Sequence, residues 1–109
     1  MSTLYRRPHG LRITGPLVDD AQLVHTTGPE PHALLMLTVQ APKGLPYAAR
    51  IDIGPDVVEH MRAEALLPRL RRHALVSVAA HGCLPQRTDH GHAVIPLIDA
   101  HGLVVRLDA

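Results

Sequence analysis

The sequence predicts a domain of the all-β class, built from short strands and a single helix. Residues that favour turns, chiefly Gly and Pro, interrupt the chain at intervals of about eight to twelve residues. The segments between these turns are rich in Leu, Val, Ile and Ala, and they have the length of strands. Such strands are expected to close into a small barrel, because closure leaves no long sheet edge exposed.

The turn residues delimit the segments that we expect to form strands. Three of these segments precede the helix, and two or three follow it. Each consists mainly of aliphatic residues and is bounded by Gly, Pro or His-Gly sequences. The predicted strands are residues 11–18, 33–40, 47–53, 74–84, 93–99 and 103–107.

The single helix is expected between the third and fourth strands. Asp56 follows a Gly-Pro pair and is placed to cap the N-terminus of the helix. Apolar residues then recur at helical spacing and predict one buried face. Pro68 should end the helix, and the basic residues after it lie where the helix dipole favours positive charge. The apolar positions are Val57, Val58, Met61, Ala65 and Leu66, the opposite face holds Glu59, Arg62 and Glu64, and the basic end holds Arg69, Arg71 and Arg72.

This order of elements is that of an OB-fold, a five-stranded Greek-key barrel. We therefore predict an OB-fold with one helix between strands 3 and 4. A chain of 109 residues has the size of one domain, so residues 1–109 are expected to form it alone. Residues 1–10 precede the first predicted strand, and we expect them to form a flexible N-terminal arm.

Composition and motifs argue against an enzyme or a membrane protein. Glycine motifs of nucleotide-binding sites are absent, and Ser77 lacks a surrounding nucleophile motif. No apolar run approaches the roughly 20 residues of a membrane span. The single cysteine, Cys83, excludes an intramolecular disulfide. We expect a cytoplasmic protein with no membrane association, no catalytic activity, no metal and no cofactor.

Histidines leave one enzymatic alternative open. His81, His90 and His92 lie around one predicted hairpin and suggest a small metal-dependent enzyme. Metal sites usually need three or four convergent ligands, whereas a His-x-His sequence supplies two. Exposed turn histidines are the simpler interpretation.

Short segments in the same order resemble a known family. They are residues 13–17 (ITGPL), Asp20 with Leu23, 31–37 (PHALLML), 70–72 (LRR), 80–84 (AHGCL), Thr88-Asp89 with Gly91, and 94–98 (VIPLI). In this succession the chain resembles the bacterial single-stranded DNA-binding proteins, including their shortened relative primosomal replication protein N. The resemblance extends from about Leu11 to Leu107.

The resemblance implies a function without chemistry. It implies binding of single-stranded DNA without sequence preference, in DNA replication or recombination. It also implies assembly as a homodimer or homotetramer and replication proteins as candidate partners. The family stacks bases on Trp and Phe, and this chain has neither. We therefore expect binding that is weaker and more sensitive to salt than in a Trp-rich relative.

The candidate nucleic-acid-binding residues combine cations with apolar or aromatic side chains. Ten of the eleven basic residues are Arg, whose guanidinium suits phosphates and base faces. Alternation places Leu34 and Met36 on one face of the second strand and Leu35 and Leu37 on the other. The same rule points Ile51 and Ile53 inward and Arg50 and Asp52 outward, where these two could also pair with each other. The candidates are Arg12, Leu34, Met36, Lys43, Tyr47, Arg50 and Arg87.

A second function class explains the same apolar residues. Both faces of the second strand are apolar, and an exposed apolar stripe usually marks an interface. The face with Leu34 and Met36 would then pack against a second copy of the protein. In this alternative the OB-fold is a protein-interaction or oligomerisation module that has lost nucleic-acid binding.

Overall fold

Strands dominate the protein, and the predicted all-β class with one helix is confirmed. The computed structural model describes residues 5–30, 32–89 and 92–106. No helix in these ranges is long and apolar enough to cross a membrane. The elements are β1 (Tyr5–Pro16), β2 (Gln22–Thr26), β3 (His32–Gln40), β4 (Pro46–Ile53), α1 (Val57–Leu66) with a 3-10 turn (Leu67–Arg69), β5 (Leu75–Cys83), β6 (Arg87–Asp89), β7 (His92–Ile98) and β8 (Gly102–Arg106).

The six predicted strand segments correspond to β1, β3, β4, β5, β7 and β8, and the short strands β2 and β6 are additional. Four strands therefore precede the helix where three were expected. Residues 5–10, which the sequence assigns to an N-terminal arm, are part of β1. The rest of that arm, residues 1–4, lies outside the described residues.

The strands form a mixed sheet in the order β1-β5-β7-β4-β3-β2. Strand β6 pairs with β7, and β8 pairs with β5. The β4–β7 pair is parallel, whereas the other pairs are antiparallel. Beyond the end of β1, Leu17 forms a bridge with Val39, and the Val18 N–H donates to the Thr38 carbonyl at 2.9 Å. The chain therefore pairs with β5 through Pro16 and with β3 from Leu17 onward.

Gly15 permits this crossing. A Cβ atom at this position would overlap the carbonyl oxygen of Gln40 on β3. The backbones of β1 and β3 therefore approach more closely than any side chain allows.

Period-two alternation divides β3 and β4 into an inner and an outer face. On β3, Leu35 and Leu37 are buried, while Leu34 and Met36 between them are partly exposed. On β4 Ala49, Ile51 and Ile53 are buried, and Arg50 and Asp52 between them are exposed, as alternation predicts. The inner residues join those of β1 and β5 in one aliphatic core.

The helix begins as predicted but buries a different face. The Asp56 carboxylate accepts a hydrogen bond from the Val58 N–H at 2.8 Å and caps the helix. The predicted apolar face is wrong at Val57, Val58 and Met61, which are 65%, 58% and 64% exposed. It is also wrong at Ala65, which is exposed, whereas Leu66 is partly buried.

The C-terminal end of the helix makes the contact with the core instead. Ala63 is the buried residue of α1, Leu67 packs against the core, and Leu70 after the 3-10 turn is fully buried. These residues share one helical side at spacings of four and three. Burial is set by where Leu70 anchors the chain, so the apolar residues of the first turn face outward.

Candidate nucleic-acid interface

The outer face of β2, β3 and β4 brings together three of the candidate residues. In the antiparallel register, Met36 lies opposite Arg50 on one side and Gln22 on the other. In the next outward row, Leu34 lies between Val24 and Asp52. Leu34, Met36 and Arg50 therefore share one surface, as the alternation predicts.

A groove of about 480 Å³ runs along part of this surface. The buried residues Leu37, Ala49 and Val94 contribute to its lining and are called its floor, and Met36 and Arg50 line it as well. One wall comes from the turn between β1 and β2, and the other comes from the end of β5 and from β7. The complete lining is Asp19, Asp20, Gln22, Met36, Leu37, Thr38, Ala48, Ala49, Arg50, Leu84, Val94, Pro96 and Leu97.

The groove contains charges of both signs. Arg50 is exposed, and the anticipated pair with Asp52 does not form, because Asp52 contacts the Nε2 atom of His32. Within the part of the chain that the structure describes, Arg50 has no ion-pair partner. Asp19 and Asp20, in the turn between β1 and β2, also bring two carboxylates to the lining.

Asp20 also holds the backbone next to the groove. Its Oδ1 atom accepts a hydrogen bond from the Arg72 N–H at 2.7 Å and lies 3.8 Å from the Arg71 Nε atom. The Ala21 N–H donates to the Leu70 carbonyl at 2.8 Å. These hydrogen bonds connect the turn between β1 and β2 to the turn that follows the helix. Arg71 and Arg72 are exposed in that second turn.

Tyr47 is oriented away from this surface. It has the same parity on β4 as the buried Ala49 and Ile51, and it packs against the core. Alternation thus separates Tyr47 from Arg50, which lies on the outer face. The chain has no Phe or Trp, and among the residues that the structure describes no Tyr lines the groove.

The remaining candidate cations lie elsewhere. Arg12 is on β1, where its Nη1 atom donates to the Ser77 Oγ atom at 3.1 Å. Lys43 is exposed in the turn between β3 and β4. Arg87 belongs to β6 and pairs with Val94, a residue of the groove floor. Of these three, Arg87 is the closest in the strand network to the groove.

The described residues contain no metal site of the kind that the histidine alternative requires. Among residues 5–30, 32–89 and 92–106, no group of three or more His, Cys, Asp or Glu side chains is arranged to hold a metal ion. The ring of His81 packs against that of His101, with centroids 5.1 Å apart. His90, the third residue of that hypothesis beside His92, lies outside the described residues.

Sequence reasoning missed several residues of the groove. Gln22, Leu84 and Pro96 come from three different parts of the chain and meet at the groove through strand pairing. Asp19 and Asp20 lie next to each other in the turn between β1 and β2, and nothing in the local sequence indicates that they border a cavity. The alternation of inward and outward residues along β4 does, however, predict that Tyr47 lies on the inner face.

No model of a known protein family matches the chain. No curated protein and no solved structure matches it either. Inference about function therefore depends on the groove and on the chemistry of its lining residues.

Proposed function

We propose that this protein is an OB-fold single-stranded DNA-binding protein that acts in the cytoplasm, in DNA replication or recombination. It holds the strand in the groove on the outer face of β3 and β4, without sequence preference and without chemistry of its own. The observation that carries this proposal is the pairing of Met36 with Arg50 in that groove.

The strand order supports the OB-fold. An OB-fold binds oligonucleotides on the face of its second and third strands, flanked by the loops between strands 1 and 2 and between strands 4 and 5. If β1 and β2 together count as the first strand, β3 and β4 are the second and third, and α1 follows them. The parallel β4–β7 pair and the Leu17–Val39 bridge agree with this order. The groove then lies on the expected face, beside the β6–β7 hairpin.

The groove chemistry suits a single strand without sequence readout. Arg50 supplies a permanent positive charge for a phosphate, or a planar group for a base face. Met36 in the groove and Leu34 in the next outward row supply apolar surface for bases, and the flexible Met side chain adapts to all four of them. An interface with few cations and no aromatic stacking is expected to be weak and sensitive to salt.

Fluorescence anisotropy with a labelled oligo-dT tests the proposal. We expect binding at low salt that weakens in Arg50→Ala and in Arg87→Ala. Arg62→Ala is the matched control, because Arg62 is exposed on α1 beside Glu59 and does not line the groove. Absence of binding by the unmodified chain at low salt would overturn the proposal.

A second candidate is an interaction module that forms a homodimer or homotetramer through the same face. The outer row with Leu34 also contains Val24, which is 41% exposed, and the described lining of the groove has two carboxylates for one arginine. Such a surface suits a protein partner, including a second copy, more than a polyanion.

Light scattering separates the two candidates. Two results together support the interaction module. The unmodified protein forms an oligomer that Leu34→Glu dissociates, and it gives no anisotropy change with oligo-dT. A wild-type protein that binds oligo-dT whether or not Leu34→Glu changes its mass supports DNA binding. Val57→Glu, on the exposed side of α1, controls for the effect of an added charge.

A further inference from the structure

The side of α1 that faces away from the core is apolar. Val57, Val58 and Met61 are three of the five exposed large apolar side chains in the described part of the chain. Ala65, four residues after Met61, is exposed as well. The outward side of a helix at a protein surface is normally polar. These four residues, called the apolar stripe, therefore mark a surface that packing against the core does not explain.

The apolar stripe is continuous and directed outward. Successive residues of an α-helix are rotated by about 100°, so the four stripe residues together cover an arc of about 100° without a gap. Ala63, the buried residue of α1, lies roughly opposite the middle of that arc. His60 also lies away from the arc, and its ring stacks on that of His25 of β2 with centroids 6.0 Å apart. The stripe thus occupies the side of α1 opposite its contact with the core.

The charges of α1 and of the turn after it have opposite signs at the two ends of the helix. Asp56 and Glu59 are exposed at its start. Arg69 and Arg72 are exposed beyond its end, and no described carboxylate lies within ion-pair distance of either guanidinium. A partner that suits this surface is therefore apolar along the stripe, basic beside the start of α1 and acidic beside its end.

A second copy of α1 in antiparallel orientation has this pattern. Its basic end lies beside the acidic start of the first helix, and its acidic start lies beside the basic end. The stripe is also centred on Met61, with Val57 four residues before it and Ala65 four residues after it. In a two-fold pair with Met61 at the axis, Val57 of one copy meets Ala65 of the other. A large side chain then faces a small one at each end, and the flexible Met side chains fill the middle.

We propose that the apolar stripe of α1 packs antiparallel against the same stripe of a second copy and forms a two-fold symmetric dimer. The ten residues of α1 span only about 15 Å, so the interface is small and the dimer is weak and reversible. No stripe residue lines the groove on β3 and β4. The dimer therefore depends neither on DNA binding nor on the interaction module that uses the groove face.

Sedimentation equilibrium at protein concentrations up to about 1 mM tests the dimer. We expect the average mass to rise with concentration from that of one chain towards that of two. Met61→Glu should raise the dissociation constant at least about tenfold, because it brings two carboxylates together at the two-fold axis. Val104→Glu is the matched control, because Val104 is 54% exposed on β8 and belongs to neither the stripe nor the groove lining.

Two further variants distinguish this interface from the groove face. Val57→Glu should weaken the dimer as Met61→Glu does, whereas Leu34→Glu should leave it intact. Because Val57 and Met61 are exposed, both stripe variants should keep the far-ultraviolet circular dichroism of the unmodified chain. A dimer that Leu34→Glu dissociates and the stripe variants do not would assign the contact to the groove face and overturn the proposal.

The antiparallel orientation is tested through the charges at the helix ends. Arg69→Glu places an acidic group beside the acidic start of the other helix, so it should raise the dissociation constant about threefold to tenfold at low salt. Sodium chloride should reduce this difference, because exposed charge pairs are screened. Lys43→Glu, an equal change of charge in the exposed turn between β3 and β4, is the control.

Three other outcomes would also overturn the proposal. One is the mass of a single chain at every concentration. Another is an equal effect of Met61→Glu and Val104→Glu, which would indicate a general effect of the added charge. The last is an equal dissociation constant for Arg69→Glu and Lys43→Glu, which would exclude the antiparallel match of charges.

Discussion

Met36 of β3 and Arg50 of β4 lie directly opposite each other in the antiparallel register, and both line the groove on the outer face of the sheet. Side chains in such a pair are close enough to contact the same ligand. The pair thus offers a flexible apolar group and a permanent cation at one point.

Truncation of Met36 is expected to weaken DNA binding modestly. Met36→Ala removes apolar contact with the bases, worth about 1 kcal/mol or roughly a fivefold rise in Kd for oligo-dT. Met61→Ala is the matched control, because Met61 is 64% exposed on α1 and lies outside the groove. Anisotropy titrations measure both variants. Equal Kd values for Met36→Ala and the unmodified chain would place the bases elsewhere.

Salt dependence should report the contact made by Arg50. A side chain that neutralises one phosphate of a single strand contributes about 0.7 to the slope of log Kobs against log salt. We expect Arg50→Gln to reduce the magnitude of that slope by roughly this amount. The measurement is an anisotropy series over several salt concentrations. A lower affinity with an unchanged slope would show that Arg50 contacts a base rather than a phosphate.

Removal of a carboxylate from the groove wall is expected to strengthen DNA binding. Asp19 lines the groove, and its negative charge opposes a polyanion. Asp19→Asn should lower the Kd for oligo-dT by about twofold to fivefold at low salt, since the charges are exposed and screened. Glu59→Gln, an acidic residue of α1 outside the groove, controls for net charge. An equal gain in both variants would indicate a general effect of charge.

The crossing of β1 over β3 is expected to tolerate no side chain at Gly15. Gly15→Ala places a methyl group on the Gln40 carbonyl oxygen, so the two strands must separate. We expect a loss of about 2 kcal/mol or more in the free energy of unfolding. Gly28→Ala is the control, because an added Cβ there meets no atom within 4 Å, and it should change stability by less than about 0.5 kcal/mol. Urea unfolding measures both, and equal stabilities would contradict the close crossing.

The sequence by itself determined six of the eight described strands and the side on which most of their residues lie. Alternation along β3 and β4 separates the buried Leu35 and Ile51 from the outward Met36 and Arg50. The capping residue Asp56 and the end of α1 before Pro68 were also predictable. These features depend on neighbours within a few residues, so a period of two or a single side chain is enough to specify them.

Only the tertiary structure decided what the outward residues face. The helix buries Ala63 rather than Val57 and Met61 because Leu70 anchors its far end in the core. The groove forms because β7 pairs with β4, which brings Val94 beside residues that precede it by more than forty positions. Such contacts depend on strand register and on the path of the whole chain, which no short segment encodes.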